Sequence, residues 1–376
     1  MHEQAPRIVI SGGGSGGHLF PALAIADEIQ RAYPSAELQF VGARGKIEME
    51  KVPLRGYPIT GLWISGYQRG LVGANLSLPA KVLSSLWKAW HLLRRFRPHA
   101  VVGVGGFASL PVGWMAERMG LPLIIQEQNA FPGLVNRMLG PKAGLICAGF
   151  PGLEQYFQEA KIKVTGNPVR ADLLNPTRQS FQAVAQFGLS PKAPVILVLG
   201  GSAGARSINE GVLAALPQWL EYGAQLIWQT GKLYFEEMKA RIPDSVEVNK
   251  LFLAPFLDDM PSAYAAAKVV ISRAGAISLS ELACQGRAAI LVPSPNVADD
   301  HQAKNARQLA GQEAAMVVED HDARTYLGNA VLELLKNNEH RIKLEKNISG
   351  FAKPNATARI VALLFQHIQY RQTRSV

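Results

Sequence analysis

Cysteine is almost missing from this chain. Cys147 and Cys284 are the two among 376 residues, far apart and each in an apolar stretch, so neither a disulfide framework nor a Cys-x-x-Cys zinc site can be built. Both read as small buried apolar side chains. Long hydrophobic runs are also missing: no uncharged apolar run approaches the roughly 18 residues of a membrane span. The N-terminal stretch reaches a strand within seven residues and has no apolar core of the kind a signal peptide needs. Acidic residues are in deficit, 29 against 39 Lys and Arg. The resulting net charge of +10 favours a polyanionic partner, whether nucleic acid, a phosphorylated substrate or an anionic membrane surface. No Gly-x-x-x-x-Gly-Lys-Ser/Thr loop occurs, which disfavours a nucleoside triphosphatase. What is present in quantity is apolar material, 48% of residues, with 18% charged. At roughly 150 residues per domain, that length and composition suit two domains with sizeable cores.

Short β-branched runs alternate with longer helical patterns, which predicts an α/β fold with parallel sheets. Ile8–Ile10, a helix from Pro21 to Tyr33, and Leu38–Val41 open the series. Strands are then expected at 100–104, 123–125, 145–148 and 163–165. A second series is expected at 195–199, 225–228, 246–250, 269–272 and 288–292. The halves open alike. Ile8–Ser11 runs into Gly12-Gly13-Gly14-Ser15-Gly16-Gly17, and Val195–Leu199 runs into Gly200-Gly201-Ser202-Ala203-Gly204-Ala205. Two doubly wound domains are expected, residues 1–166 and 167–355. A final helix near 356–370, with Ile360, Leu363, Leu364 and Ile368 at helical spacing, can pack back on either half.

A glycine-rich turn between strand and helix exposes backbone N–H groups at the positive end of the helix dipole, where phosphate can be held. Two such turns at the openings of two sheets are stronger evidence than one, because open α/β folds bind ligands beyond the carboxyl ends of their strands. Gly105-Gly106-Phe107 adds a third turn at the same edge of the first sheet. The first loop allows a Gly-x-Gly-x-x-Gly register, but Glu37 precedes rather than ends its strand and is poorly placed for a dinucleotide ribose, so hydride chemistry is the weaker inference. His18 follows the first loop at the first turn of a helix. There the dipole disfavours imidazolium and leaves a neutral ring able to accept a proton, unless the ring only caps the turn. Glu127, just after a buried strand, is a second candidate base or a sugar-hydroxyl acceptor, or a plain surface carboxylate. In the second half, Ser272 to Glu281 follows a strand and opens a helix, and Glu281 suits the paired hydroxyls of a ribose. No metal site and no cofactor is expected. Charge on a departing diphosphate would then be met by amides and by cations such as Arg170 or Arg273.

Taken together, Gly-Gly-x-x-Gly-Gly-His at 12–18, Gln-Glu-Gln-Asn at 126–129, Gly-Asn-Pro-Val-Arg at 166–170, Gly-Gly-Ser-x-Gly-Ala at 200–205 and Ser-Arg-Ala-Gly-Ala at 272–276 with Ser280-Glu281 resemble the MurG family of peptidoglycan N-acetylglucosaminyltransferases. The match runs in order from about residue 7 to 310. The resemblance implies a GT-B fold, two Rossmann-like doubly wound domains facing a central cleft, with the lipid-linked acceptor on the N-terminal half and UDP-N-acetylglucosamine on the C-terminal half. It implies transfer of GlcNAc, with inversion, to the 4-hydroxyl of lipid I to give lipid II. By motif, Ser15, Gly16, Gly17 and Asn129 would touch the donor, and Arg170 and Ser202 would hold its diphosphate. Leu257 would present its backbone to uracil. Ala276, Ile277, Ser278, Leu279, Ser280 and Glu281 would bind phosphate and ribose, and Gln302 would read the sugar. His18 and Glu127 would be the proton acceptors. Three positions depart from the family pattern: Phe107 where a tyrosine is usual, His301 where a glutamine is, and Gln126 where a histidine is frequent. A related GT-B enzyme, such as a UDP-GlcNAc epimerase or a glycolipid synthase, would share most of these features.

The positive charge is lopsided. Residues 1–170 carry 18 Lys and Arg against 10 Asp and Glu, and residues 171–376 carry 21 against 19. The excess lies where Leu62-Trp63-Ile64, Tyr67, Leu71-Val72 and Leu76 precede a helix-like stretch from Pro79 to Arg97. That stretch mixes Leu83, Trp87 and Trp90 with Lys81, Lys88, Arg94 and Arg95. Apolar and aromatic residues flanked by cations suit peripheral docking on an anionic bilayer, here the cytoplasmic face of the cell membrane, although an ordinary amphipathic helix covering a sheet would look similar. A nucleic-acid partner is not expected, since no recognised binding motif occurs and the second half is almost neutral.

Overall fold

The computed structural model describes residues 5–66, 77–174, 180–201, 203–297 and 300–374. The chain separates into two units, residues 1–170 with 355–376, and residues 171–354.

The first unit contains β1 (Arg7–Ser11), α1 (Gly16–Ala32), β2 (Glu37–Ala43), α2 (Glu48–Leu54), β3 (Ile59–Leu62), α3 (Leu78–Phe96), β4 (Ala100–Gly103), α4 (Ser109–Arg118), β5 (Leu123–Glu127), α5 (Leu134–Leu139), β6 (Leu145–Ala148) and β7 (Ile162–Val164). All seven strands are parallel, in the order β3-β2-β1-β4-β5-β6-β7. The order reverses between β1 and β4, so the loops leaving those two strands diverge and open a crevice at their carboxyl ends. β1 and β4 read as unbroken apolar runs because helices cover both faces of the sheet. On one face Ile8, Ile10, Val102 and Cys147 pack under α1. On the other, Val9, Val101, Ile125 and Ile146 pack under α3, α4 and α5. Burial pushes the Cys147 thiol up to about 12, in keeping with a packing role.

The second unit contains α6 (Ala171–Leu174), α7 (Ser180–Gln186), β8 (Val195–Leu199), α8 (Arg206–Glu221), β9 (Gln225–Gln229), α9 (Phe235–Arg241), β10 (Leu251–Ala254), α10 (Met260–Ala266), β11 (Val269–Ser272), α11 (Ala276–Gln285), β12 (Ala289–Leu291), α12 (His301–Ala310), β13 (Met316–Val317), α13 (Ala323–Lys336) and α14 (Asn338–Ser349). Its order, β10-β9-β8-β11-β12-β13, repeats the pattern of the first sheet. Two buried tryptophans anchor its core, and each indole N–H finds an acceptor: Trp219 on the Gly328 carbonyl at 3.1 Å and Trp228 on Asn209 Oδ1 at 3.1 Å.

The elements differ from the sequence reading at four places. α1 begins at Gly16, five residues before the proline expected to start it. Pro21 therefore lies in the second turn and leaves the Gly17 carbonyl without an i+4 donor. The strand expected at 246–250 is displaced: Val248–Lys250 is a 3-10 turn with Val248 facing solvent, and β10 follows it. The short edge strands β3 and β13 were not foreseen, having four and two residues.

The C-terminal helix α15 (Ala356–Arg374) joins the first unit. Its Ile360, Leu364 and Ile368 enter the core beneath α1, and Phe365 stacks on Tyr33 with ring centroids 3.7 Å apart. The 188-residue excursion through the second unit is closed by Thr357 Oγ1, which donates to the Val169 carbonyl at 3.1 Å. Leu364 is fully buried there. Truncating it by Leu364→Ala should destabilise the first unit by about 2–5 kcal/mol, read as a lowered urea midpoint for that unit.

Candidate active site

The crevice of the first sheet is lined by the loop 12–15 after β1, the turn 104–108 after β4, and the segment 128–133 after β5. Ser15 caps α1 with its carbonyl, which accepts from the N–H groups of His18 and Leu19 at 3.2 and 3.1 Å. Its hydroxyl lies 3.1 Å from His18 Nδ1. His18 is half-buried, and its other ring edge lies over Gly105. Gly105 has φ +92°, and a Cβ at that position would stand 2.8 Å from His18 Cδ2 and 3.0 Å from Nε2. Only glycine both tolerates that backbone and leaves room for the imidazole. Gly16 is half-buried and Gly17 exposed. Phe107 has no hydroxyl to offer and serves as packing: its ring lies against Gly14, where a Cβ would come within 2.8 Å of Cε1.

Glu127 ends β5 and is 1% exposed, so it is not the surface carboxylate that its loop position allowed. Its Oε1 accepts from Asn129 N at 2.9 Å and Asn129 Nδ2 at 3.2 Å. Oε2 accepts from Gly133 N at 3.1 Å and Asn136 Nδ2 at 2.8 Å. Burial pushes this carboxyl above the usual glutamate range, and the bonds from Asn129, Asn136 and Gly133 pull it back. Four donors around one carboxylate make it the fastening of the segment that carries Asn129. Gln126 is fully buried and donates to Asn167 Oδ1 at 3.1 Å, which holds it in the sheet edge as a structural amide. Arg170, the last residue of the unit's first segment, brings its guanidinium to 5.9 Å from the Phe20 ring, beside the start of α1.

In the second unit the corresponding edge is formed by the loop 200–205 after β8, the turn after β11, and the start of α12. Ser202 lies outside the described residues. Gln229, at the end of β9, ties two parts of this edge together. It donates to the Gly201 carbonyl at 3.0 Å and accepts from Leu257 N at 2.9 Å. The Leu257 N–H is therefore engaged, and the carbonyl is what this residue can offer a base. The first turn of α11, from Ala276 through Ile277 and Ser278, carries no acidic side chain. Leu279 is buried in the core and its N–H bonds to the Gly275 carbonyl at 3.0 Å. Ser280 Oγ donates to the Ala276 carbonyl at 2.9 Å, so both residues support the turn from within. Glu281 receives the Tyr264 hydroxyl at 3.3 Å, which orients the carboxylate proposed for ribose. Gln302 Oε1 accepts from Ser294 N at 2.9 Å, and His301 opens α12 beside it.

Arg273 departs from expectation. Its guanidinium donates to the Val292 carbonyl at 3.0 Å, to Ser207 Oγ at 3.2 Å and to Asp320, so it holds β11, β12 and α8 together and is not aimed at a diphosphate. Asp320 lies in an Asp320-His321-Asp322 run and also accepts from Ser207 Oγ at 2.5 Å. Among the described residues no group of three or more His, Cys, Asp or Glu side chains could hold a metal ion.

The sequence reading missed Glu48, Asn136, Gln229 and Tyr264. Asn136 is buried, with Nδ2 on Glu127 and on the Gln126 carbonyl and with Oδ1 lacking a partner. Glu48 and Glu50 stand two apart in Ile-Glu-Met-Glu. Nothing in that string says that Glu48 is fully buried and Glu50 exposed.

The N-terminal domain model of glycosyltransferase family 28 matches residues 8–146, and the C-terminal domain model of that family matches residues 195–360. A UDP-N-acetylglucosamine--N-acetylmuramyl-(pentapeptide) pyrophosphoryl-undecaprenol N-acetylglucosamine transferase from Cytophaga hutchinsonii is 47% identical over 98% of this chain and 99% of its own. The crystal structure of Acinetobacter baumannii MurG aligns over 96% of this chain and 99% of its own, with 30% identity and a TM-score of 0.74. A UDP-GlcNAc 2-epimerase from Neisseria meningitidis, solved with UDP-GlcNAc, covers 96% of this chain and 100% of its own at 15% identity and a TM-score of 0.66, a likeness of fold alone.

Each bond from an amide to a buried charged acceptor is worth roughly 1.5–3 kcal/mol. Glu127→Ala should therefore lower hydrogen-exchange protection at the Asn129 and Gly133 amides about tenfold or more, while the amides of β1 and β4 keep theirs.

Proposed function

The chain belongs to glycosyltransferase family 28, in its MurG branch, and on that premise we propose that the carboxyl edge of the first sheet receives the acceptor and that of the second sheet the nucleotide sugar. The protein is a hexosyltransferase that uses UDP-N-acetylglucosamine. It moves GlcNAc onto undecaprenyl-diphosphate-MurNAc-peptide, lipid I, and so makes lipid II for peptidoglycan, a step of cell-wall synthesis on which cell shape and division depend. The observation that carries this reading is 47% identity over 98% of the chain to a transferase of that name, with the motif residues gathered at the carboxyl edges of the two sheets.

The reaction is a single displacement. His18 removes the proton from the acceptor's 4-hydroxyl while that oxygen attacks the anomeric carbon, and UDP leaves from the opposite face, inverting the centre. Ser15 sits on Nδ1 and orients the ring. Glu127 acts through Asn129, a donor contact whose amide it holds in place, since its own oxygens are fully engaged. In the second unit the first turn of α11, with Ser202, meets the growing charge on the β-phosphate, and Arg170 is the cation of the first unit suited to the same charge. Glu281, steadied by Tyr264, takes the ribose hydroxyls, the Leu257 carbonyl meets uracil, and Gln302 reads the sugar with His301 beside it.

Lipid-linked acceptor requires contact with a bilayer. No helix among the described residues is long and apolar enough to cross one. α3 buries only its small or inner side chains, Ser85, Ala89 and Leu93, while Leu83 and Trp87 are 68% and 64% exposed and Trp63 stands 47% exposed nearby in sequence and beside Lys81. The helix thus covers the core with Ala89 and Leu93 and also turns large apolar groups outward on its other side. Arg94 lies over the Trp90 ring at 5.1 Å, a pairing of cation and aromatic suited to an anionic interface. Tyr67, Leu71, Val72 and Leu76 lie outside the described residues. This face rests on the cytoplasmic leaflet of the cell membrane as a peripheral contact.

Two experiments follow. With UDP-GlcNAc and a short-chain lipid I analogue the protein should release UDP. His18→Ala should cut kcat about a hundredfold or more with little change in donor KM, the loss expected for a general base; an unchanged rate would remove His18 from the role. On vesicles, the protein should partition onto anionic and not neutral bilayers, less so at high salt, and Trp87→Glu should weaken that binding by about tenfold. Equal partition onto both would count against docking.

A further inference from the structure

One carboxylate at the site has no role in the mechanism above. Glu48 begins α2 and is fully buried. Its Oε1 accepts from Ala43 N at 2.9 Å and from Gly14 N at 3.0 Å, and Oε2 also lies 3.0 Å from Gly14 N. Two glycines make its seat. A Cβ on Gly13 would lie 2.2 Å from Oε1, and one on Gly42 would lie 2.5 Å from Cγ. Gly14 is thus held from one side by the Glu48 carboxylate and from the other by the Phe107 ring. The next residue is Ser15, whose carbonyl caps α1 and whose hydroxyl meets His18.

We propose that Glu48 is a positioning residue for the transfer reaction: by fastening the Gly14 amide it sets the conformation of the first glycine loop, and through Ser15 the place of the His18 ring. A buried carboxylate is costly unless donors surround it, so the loop amide and the carboxylate each hold the other in place. The Gly14 N–H points into the protein and is not among the amides a bound anion can use. What the loop presents to substrate is Ser15 to His18. The inference rests on the transferase reading with His18 as base.

Two substitutions test it in the full-length protein, with UDP affinity measured by calorimetry beside steady-state transfer. Glu48→Gln keeps one oxygen for Ala43 and Gly14 but sets an N–H group against the Gly14 N–H. Gly42→Ala keeps the carboxylate and pushes on its stem, at a position whose backbone any residue can adopt. Both should lower kcat about tenfold to a hundredfold, as a misplaced base does, with the affinity for UDP, which the second unit holds, within about twofold of wild type. Wild-type kcat in both variants overturns the role of Glu48, as does a loss of UDP affinity in step with kcat, which would mark a general defect of folding. A wild-type protein that releases no UDP overturns the transferase reading itself.

Discussion

A charge taken out of water must be surrounded by donors, and at the carboxyl edge of the first sheet two glutamates meet that requirement with loop amides. Glu127 collects four N–H groups from residues 129, 133 and 136, and Glu48 collects those of residues 14 and 43. Loops of glycine and small polar residues have little apolar area with which to hold themselves. Here the carboxylates replace that missing packing. The segments carrying Ser15, His18 and Asn129 are shaped by what lies beneath them, and on the proposed reading their outer faces serve substrate.

The second sheet meets the same need with neutral groups and one ion pair. Gln229 joins the loop after β8 to Leu257, Tyr264 holds Glu281, and Arg273 with Asp320 locks β11 against its neighbours. Arg273 shows how a cation can be present in the motif and still be structural: its partners are all within the protein.

Charge and apolar exposure divide the molecule in a parallel way. The first half carries nearly all of the positive excess and also α3, which turns Leu83 and Trp87 to solvent. On the proposed reading the first half receives an acceptor whose polyisoprenoid anchor stays in the bilayer, and so has to come to the surface. UDP-GlcNAc is soluble and needs no such arrangement in the second half.

Strand–helix alternation and the two glycine-rich openings were enough to predict two parallel α/β domains, because periodicity and turn chemistry are local properties of the chain. The family motifs, read in order, named the reaction and most of the residues at the two sheet edges. Local pattern could not say which of Glu48 and Glu50 is buried, that Glu127 faces inward, that Arg273 is occupied by Asp320 forty-seven residues away, or which half α15 would complete. Each of those depends on groups brought together from distant parts of the chain, and burial and hydrogen-bond partnership exist only once they meet. The sequence by itself determined the kinds of element and the chemistry available at their ends. The tertiary structure decided which of the charged groups are buried as supports of the loops, because their hydrogen-bond donors come from distant parts of the chain.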